Sequence, residues 1–371
     1  MTSSIPLDGA TVSARADISR SVPPKVAAGR IADDMVMLRT AAESTRDINA
    51  PRPAIYWSDM LGSAGLGFGA LAVSILAAST ALALVAGLVS ILALYRALSF
   101  IHELTHIRHA SLPGFRTAWN LMVGIPMLVP SFMYEGVHNL HHARTRYGTV
   151  EDPEYLPLAL MKPWTLPLFL LVSLLAPVAL LFRFAVLAPL SAVFPQLRRV
   201  VVERYSALSI NPSFRRRQPE GVFKVQWDRI ETGASLWAVA LIVAVVSGVL
   251  SWRAFLTYLG VTSGVAVINQ VRTLVAHLWE NEGEAMTVTA QYLDTVNVPP
   301  PALLPALWAP VGLRYHALHH LLPGLPYHAL GEAHRRLSAA LHVDSPYHKA
   351  SYPGLPGLVV KIFGSTFKPR G

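Results

Sequence analysis

The sequence predicts an all-α, polytopic membrane protein, and three observations carry that expectation. Of 371 residues, 53% are hydrophobic and only 14% charged, whereas a soluble domain carries about 25% charge. Two apolar stretches, 57–100 and 233–274, each have the length of a helical hairpin, because one span needs about 20 residues. Histidines then gather directly behind those stretches instead of scattering along the chain. With no cysteine present, disulfides and thiolate metal sites are excluded. The formal charge of +9 calls for no nucleic acid partner, since basic segments retained on the cytoplasmic side account for it.

Residues 1–54 read as a cytoplasmic N-terminal region, with a disordered tail over 1–20 and a short amphipathic helix over 30–45 that caps a cytoplasmic domain. No basic segment runs directly into an apolar one at the start, so no cleavable signal peptide is expected. Between Leu61 and Leu98 the only charge is Arg96, and Gly62, Gly65, Gly67 and Gly69 crowd the first third. This predicts helices over 57–77 and 80–100, joined by a tight outer turn and packed closely through small residues. Residues 113–134 are broken by Pro113, Pro126 and Pro130, which favours an interfacial or re-entrant segment over a span.

The run 165–194 is interrupted by Pro167, Pro177, Arg183 and Pro189, and residues 196–230 then carry eight basic against three acidic side chains. The positive-inside rule keeps that basic segment cytoplasmic, so 165–194 is expected as a kinked re-entrant pair or an interfacial helix. Helices over 233–250 and 254–274 form the second hairpin, with Trp237 and Trp252 in opposite interfacial belts. The expectation is four main spans as two hairpins, a membrane domain over 55–345 and a C-terminal tail over 346–371. Both hairpins return histidines, His102 and His277, to the cytoplasmic edge of a cell inner membrane.

Three clusters carry the chemistry: His102-Glu103-Leu104-Thr105-His106-Ile107-Arg108-His109, then His138-Asn139-Leu140-His141-His142, then His316-Ala317-Leu318-His319-His320. In helical register His102, His106 and His109 share one face, and so do the three histidines of each later cluster. Residues 102–106 alone match the HExxH pattern of a zinc metalloprotease, with Glu103 as general base. Nine histidines exceed the four ligands of one zinc and suit two ions with about five ligands each. Without thiolate, imidazole-rich coordination favours iron. His277, beside Asn281 and Glu282 at the end of the last span, is a tenth candidate; Glu103 and Asn281 are accessory candidates. His328, His334, His342 and His348 stand apart and read as ordinary structural histidines. A protease leaves two clusters unexplained, and a metal transporter would want ionisable groups at mid-membrane, where these spans are almost uncharged.

The three boxes, each reached through membrane segments, resemble the membrane fatty acid desaturase and hydroxylase superfamily over roughly residues 55–345. The resemblance implies a diiron centre on the cytoplasmic side of a four-helix bundle. It carries over His102, His106, His109, His138, His141, His142, His316, His319 and His320 as ligands, with His277 similar to an extra histidine of some members. The stretch 138–155 and the LPYH at 325–328 look most like bacterial fatty acid desaturases, while Glu103 stands where many acyl-lipid desaturases have aspartate. The implied activity is O2-dependent desaturation of an acyl lipid or acyl thioester, with hydroxylation of an alkyl, fatty acyl or carotenoid-like substrate as the alternative. A methylene C–H bond is inert to side-chain acids and bases, so the metal carries the difficult step. Electrons would come from a separate ferredoxin-, rubredoxin- or cytochrome b5-like donor. Arg215, Arg216 and Arg217 are candidates for attracting an acidic donor or a headgroup, although ordinary positive-inside charge also explains them. Asn269, inside the last span, either lines a cavity or bonds across the bundle.

Overall fold

A computed structural model describes residues 31–367, and those residues form a polytopic all-α protein. The tail expected over 1–20 lies outside the described residues. Helix α1 (Met35–Ser44) starts where the Asp34 carboxylate accepts the Val36 and Met37 N–H groups, satisfying two of the free donors of a first turn. Its buried Met37 and Ala41 pack on Ala333 and Leu337 of a later helix, the capping role read from the sequence.

Helices α2 (Pro53–Leu76) and α3 (Thr80–His106) form the first hairpin, and Ser79 caps α3 through the Leu82 N–H. The close approach is made at Gly67, where an added Cβ would stand 2.6 Å from the Leu94 side chain. The Ser90 hydroxyl donates to the Gly67 carbonyl at 2.8 Å across the same contact. Helix α3 continues past the expected end at residue 100, so His102 and His106 sit in its last turns.

Helix α4 (Phe115–Trp119) leads through a π turn, Asn120–Gly124, into the bundle. The Pro126 carbonyl there accepts from Tyr258 at 2.7 Å and from Trp237 at 3.3 Å. The chain then returns through a 3-10 turn at Ser131–Met133 to α5 (His138–His141). The segment with three prolines thus forms short, broken turns and no spanning helix, in keeping with the interfacial or re-entrant segment expected.

Helix α6 (Thr165–Phe182) runs without a break through a π turn, Arg183–Leu187, into α7 (Ala188–Val193), and α8 (Pro195–Tyr205) follows. The second hairpin is α9 (Gly221–Val246) and α10 (Trp252–Ala276). Five helices among the described residues are long and apolar enough to cross a membrane, residues 165–193 included. The contacts of that helix nevertheless return it to its starting end. Leu166 packs with Leu274 and Val275 at the histidine end of α10. Ser173 and Leu174 reach Gln270 and Ser263 further along α10. Arg183 then pairs with Glu231 in the first half of α9 at 2.5 Å. The sequence predicts a kinked re-entrant pair or an interfacial helix here; the structure has one continuous helical run with Pro177 and a π turn inside it, since an interior proline and a widened turn can deform a helix without ending it.

The remaining chain caps the histidine end. Helices α11 (Val288–Asp294), α12 (Pro305–Trp308), α13 (His316–Leu321) and α14 (Leu330–Ala340) follow in order. Buried Asn297 ties them together: its side chain accepts the Leu318 N–H at 3.0 Å, and its backbone N–H bonds the Ala350 carbonyl at 2.7 Å. Helix α15 (Leu355–Ser365) buries Leu358 and Ile362 beside Leu274 and Trp279. The segment read as a C-terminal tail therefore contains a packed helix.

Candidate metal centre

Nine histidines converge in two buried groups. His102, His106, His138, His142 and His319 form one, and His141, His277, His316 and His320 form the other; within each group the ligand nitrogens lie within 4.8 Å of one another. His277 thus joins the second group, as its position at the end of α10 suggested.

The local geometry explains the partition. In a helix, i and i+4 lie 40° apart in rotation, whereas i+3 and i+4 differ by about 100°. His138 and His142 therefore serve the first group while His141 turns to the second. The third box reverses this, with His316 and His320 in the second group and His319 in the first. The spacing predicts all three histidines of each box on one face; the structure shows instead that the second and third boxes each bridge both groups, while the first box serves only one.

The imidazoles are held by carboxylates and phenols that the sequence reading did not single out. His138 Nδ1 lies 2.8 Å from Glu154 and 2.8 Å from the Tyr134 hydroxyl. His141 Nδ1 lies 2.9 Å from Asp152, which is fully buried and also accepts the Gly148 and Glu154 N–H groups. His277 Nδ1 meets the Tyr147 hydroxyl at 2.9 Å, and Tyr147 donates onward to Asp294 at 2.7 Å. A carboxylate on Nδ1–H fixes the tautomer that leaves Nε2 free to bind metal. The acidic run 151–154 was visible in the sequence, but nothing in it showed which carboxylate would meet which ring.

Burial and neighbouring imidazoles hold His138, His142, His277, His316, His319 and His320 well below the usual histidine pKa. His141 is the exception: burial pushes it down, but the Asp152, Glu154 and Asp294 carboxylates raise it overall. Burial lifts Glu154 and Asp294 to about 7. Uncharged imidazoles are the form that ligates.

Three sequence candidates fall outside both groups. Helix α3 ends at His106, and Ile107 adopts an extended conformation, so the register that would have aligned His109 is lost. His109 instead sits on a 3-10 turn, half exposed, 3.6 Å from Glu135. Glu103 turns away from the imidazoles: its Oε2 accepts from the Tyr56 hydroxyl at 2.5 Å and the Tyr327 N–H at 3.1 Å, while Oε1 stays 3.8 Å from His102. Asn281 donates to the Gly148 and Glu284 carbonyls at 2.9 and 2.8 Å, which fixes a loop. The basic triplet also divides, because Arg216 is buried over Trp227 and bonds the Glu135 carbonyl, whereas Arg215 and Arg217 are exposed.

The donor set fits two metal ions. Nε2 atoms approach one another at 2.9 Å (His138–His142), 3.1 Å (His142–His319), 2.9 Å (His277–His316) and 3.2 Å (His316–His320). Adjacent ligands at right angles around an ion with bonds of about 2.1 Å stand about 3.0 Å apart. Both nitrogens of His102, Nε2 of His106 and Nδ1 of His316 and His320 are buried without a hydrogen-bond partner among the described residues. Such orphans are costly unless a ligand satisfies them. A cleft of about 470 Å³, lined by His106, His109, Arg116, Glu135, Asn139 and Phe223 among others, opens beside the first group.

Residues 41–352 match the family described as fatty acid desaturase. A ceramide hydroxylase of Caulobacter vibrioides (strain NA1000 / CB15N) is 51% identical to this chain over 326 residues, covering 88% of this chain and 93% of that protein. No solved structure matches.

Proposed function

The chain belongs to the fatty acid desaturase family, and we propose that within it the protein is a membrane hydroxylase that inserts one atom of O2 into a C–H bond of a ceramide-type lipid. One observation carries the choice of hydroxylation: the relative sharing half of its residues along nearly its whole length is named a hydroxylase of ceramide. The sequence pattern alone put desaturation first; this likeness favours the alternative. The overall balance is one C–H bond, O2, two electrons and two protons giving one alcohol and one water. Desaturation would consume the same O2 and electrons and release two waters.

The nine histidines would hold two iron ions, five donors on one and four on the other, and the iron would supply the oxygen activation that no side chain can. Asp152, Glu154 and the Tyr147–Asp294 pair orient the imidazoles, so the donors are in place before metal arrives. The tie from Glu103 to Tyr56 and Tyr327 locks the end of α3 to α2 and to the loop after α13, which sets the depth of His102 and His106. Burial of the histidines keeps water from the site. The histidine end faces the cytoplasm of an inner membrane in this reading, supported by the basic segment 196–230, and a separate redox protein delivers the electrons.

Expression in a host supplied with ceramide, followed by lipid mass spectrometry, tests the reading. The expected product gains one oxygen and is absent with His319→Ala. A product lacking two hydrogens with no oxygen gained would restore desaturation, and an unchanged ceramide pool would reject the substrate class.

A further inference from the structure

A half-buried guanidinium with no carboxylate in ion-pair reach among the described residues lies on the membrane side of the histidines. Arg272 sits in α10, five residues before His277, which is about 7.5 Å along the helix axis. Its Nε is buried with no partner, and its Nη2 reaches only the Asn269 side chain, at 3.4 Å. Tyr95 of α3 packs in the same cluster as Val265 and Ile268 of α10, and its hydroxyl bonds the Trp308 carbonyl at 3.1 Å. Tyr95 precedes His102 by seven residues, two turns, and so shares its face of α3. Two arginines elsewhere in apolar helices are matched with acids: Arg96 pairs with Asp59 and Arg183 with Glu231. Arg272 has no carboxylate partner among the described residues.

Such placement is unfavourable in the protein alone, because an unpaired charge in an apolar bundle is expensive and metal at the neighbouring imidazoles adds more positive charge. An oxygen acceptor brought by a ligand relieves both penalties. We propose that Arg272, with Asn269 and Tyr95, forms a binding site for the carbonyl oxygen of a lipid amide, holding the polar linkage beside the metal groups while the hydrocarbon lies among the spans. This deepens the hydroxylase reading and rests on it for the identity of the lipid. The site makes two selections. It favours an N-acylated long-chain base over the free amine, whose ammonium would face Arg272, and it brings to the metal a carbon within a few bonds of the amide.

The test uses the purified full chain, loaded with iron, in detergent. Binding of N-hexanoyl-sphinganine and of free sphinganine is measured by tryptophan fluorescence titration, alongside iron content and circular dichroism. Wild type is expected to bind the amide at least tenfold more tightly than the amine. Arg272→Gln should weaken amide binding by about tenfold to a hundredfold, the loss of a charge-assisted hydrogen bond, with unchanged iron and helicity. Arg272→Lys should fall between them, because it keeps the charge without the fork. Equal affinity of wild type for amide and amine would overturn the site without recourse to any variant, and so would undiminished binding by a folded Arg272→Gln. Loss of binding in Arg272→Gln, in a preparation whose wild type binds the amide but yields no hydroxylated product, would uphold the site and reject the hydroxylase reading.

Discussion

Replacing Asp152 by asparagine isolates the part a carboxylate plays in a site made of imidazoles. Asp152 is fully buried, and its two oxygens serve His141 Nδ1 and the backbone N–H groups of Gly148 and Glu154. Asparagine keeps the size but has one acceptor oxygen, so its amide N–H₂ must face at least one of these donors. A buried donor left unsatisfied costs about 1–3 kcal/mol. The charge that fixes the His141 tautomer is lost as well, and changes at this kind of position lower metal affinity by roughly 10–100-fold, or about 1.4–2.7 kcal/mol. Only His141 among the second group bonds Asp152, so the loss should be unequal between the groups. The assay is iron per chain by plasma emission spectrometry after dialysis against graded chelator, with circular dichroism as the fold control. Asp152→Asn should surrender one iron at roughly 10–100-fold lower chelator concentration and retain the other as wild type does. Retention of both irons at the wild-type chelator midpoint would refute the reasoning.

Further expectations follow from other contacts. His109→Ala should leave iron content unchanged, whereas His106→Ala should lower it, and emission spectrometry of the two purified variants checks the contrast. Gly67→Val should destabilise the first hairpin by about 1–3 kcal/mol through overpacking against Leu94, while Gly65→Ala, with no atom within 4 Å of its Cβ, should be silent; thermal unfolding in detergent reads both. Six histidines outside the spans have pKa values depressed by burial and by one another, so the unfolded chain binds protons the metal-free folded chain refuses. Their contribution is complete above the unfolded value, about 6.5, and is lost as pH falls through and below it. His141, Glu154 and Asp294, held above their usual values, work the other way over this range, but the six outnumber the three; the apo-protein melting temperature should therefore drop between pH 7.5 and 5.5, and a rise would refute the reasoning.

The fold was legible where composition and period speak directly. The two hairpins, the broken, non-spanning 113–134 and the capping helix near residue 40 all appear close to the positions read from apolar runs and prolines. What escaped depended on where elements end and what they meet. The spacing of His102, His106 and His109 describes one helical face only while the helix lasts, and α3 stops at His106. The partition of each HxxHH box needs two metal groups placed on either side of one short helix, which spacing alone does not supply. Glu103 resembled a general base by motif, and only tertiary packing turned it towards Tyr56 and Tyr327. Asp152, Glu154 and Asp294 were single acids among others until the fold brought them to particular rings. Arg272 was one charge at the end of an apolar run, with no pattern around it.

The crossed allocation of the boxes also governs how the centre comes into being. Donors to each group come from distant parts of the chain, and more than 200 residues separate His102 from His320. A nascent chain released before His316 lacks one donor of the first group and two of the second, so neither group has its full donor set until both hairpins and the cap are in place. Oxygen chemistry is thereby withheld from incomplete chains, and a finished site certifies a finished fold. The same linkage makes α13 a common strut: any rotation that withdraws His319 from one group swings His316 and His320 within the other, so the two groups share one mechanical fate.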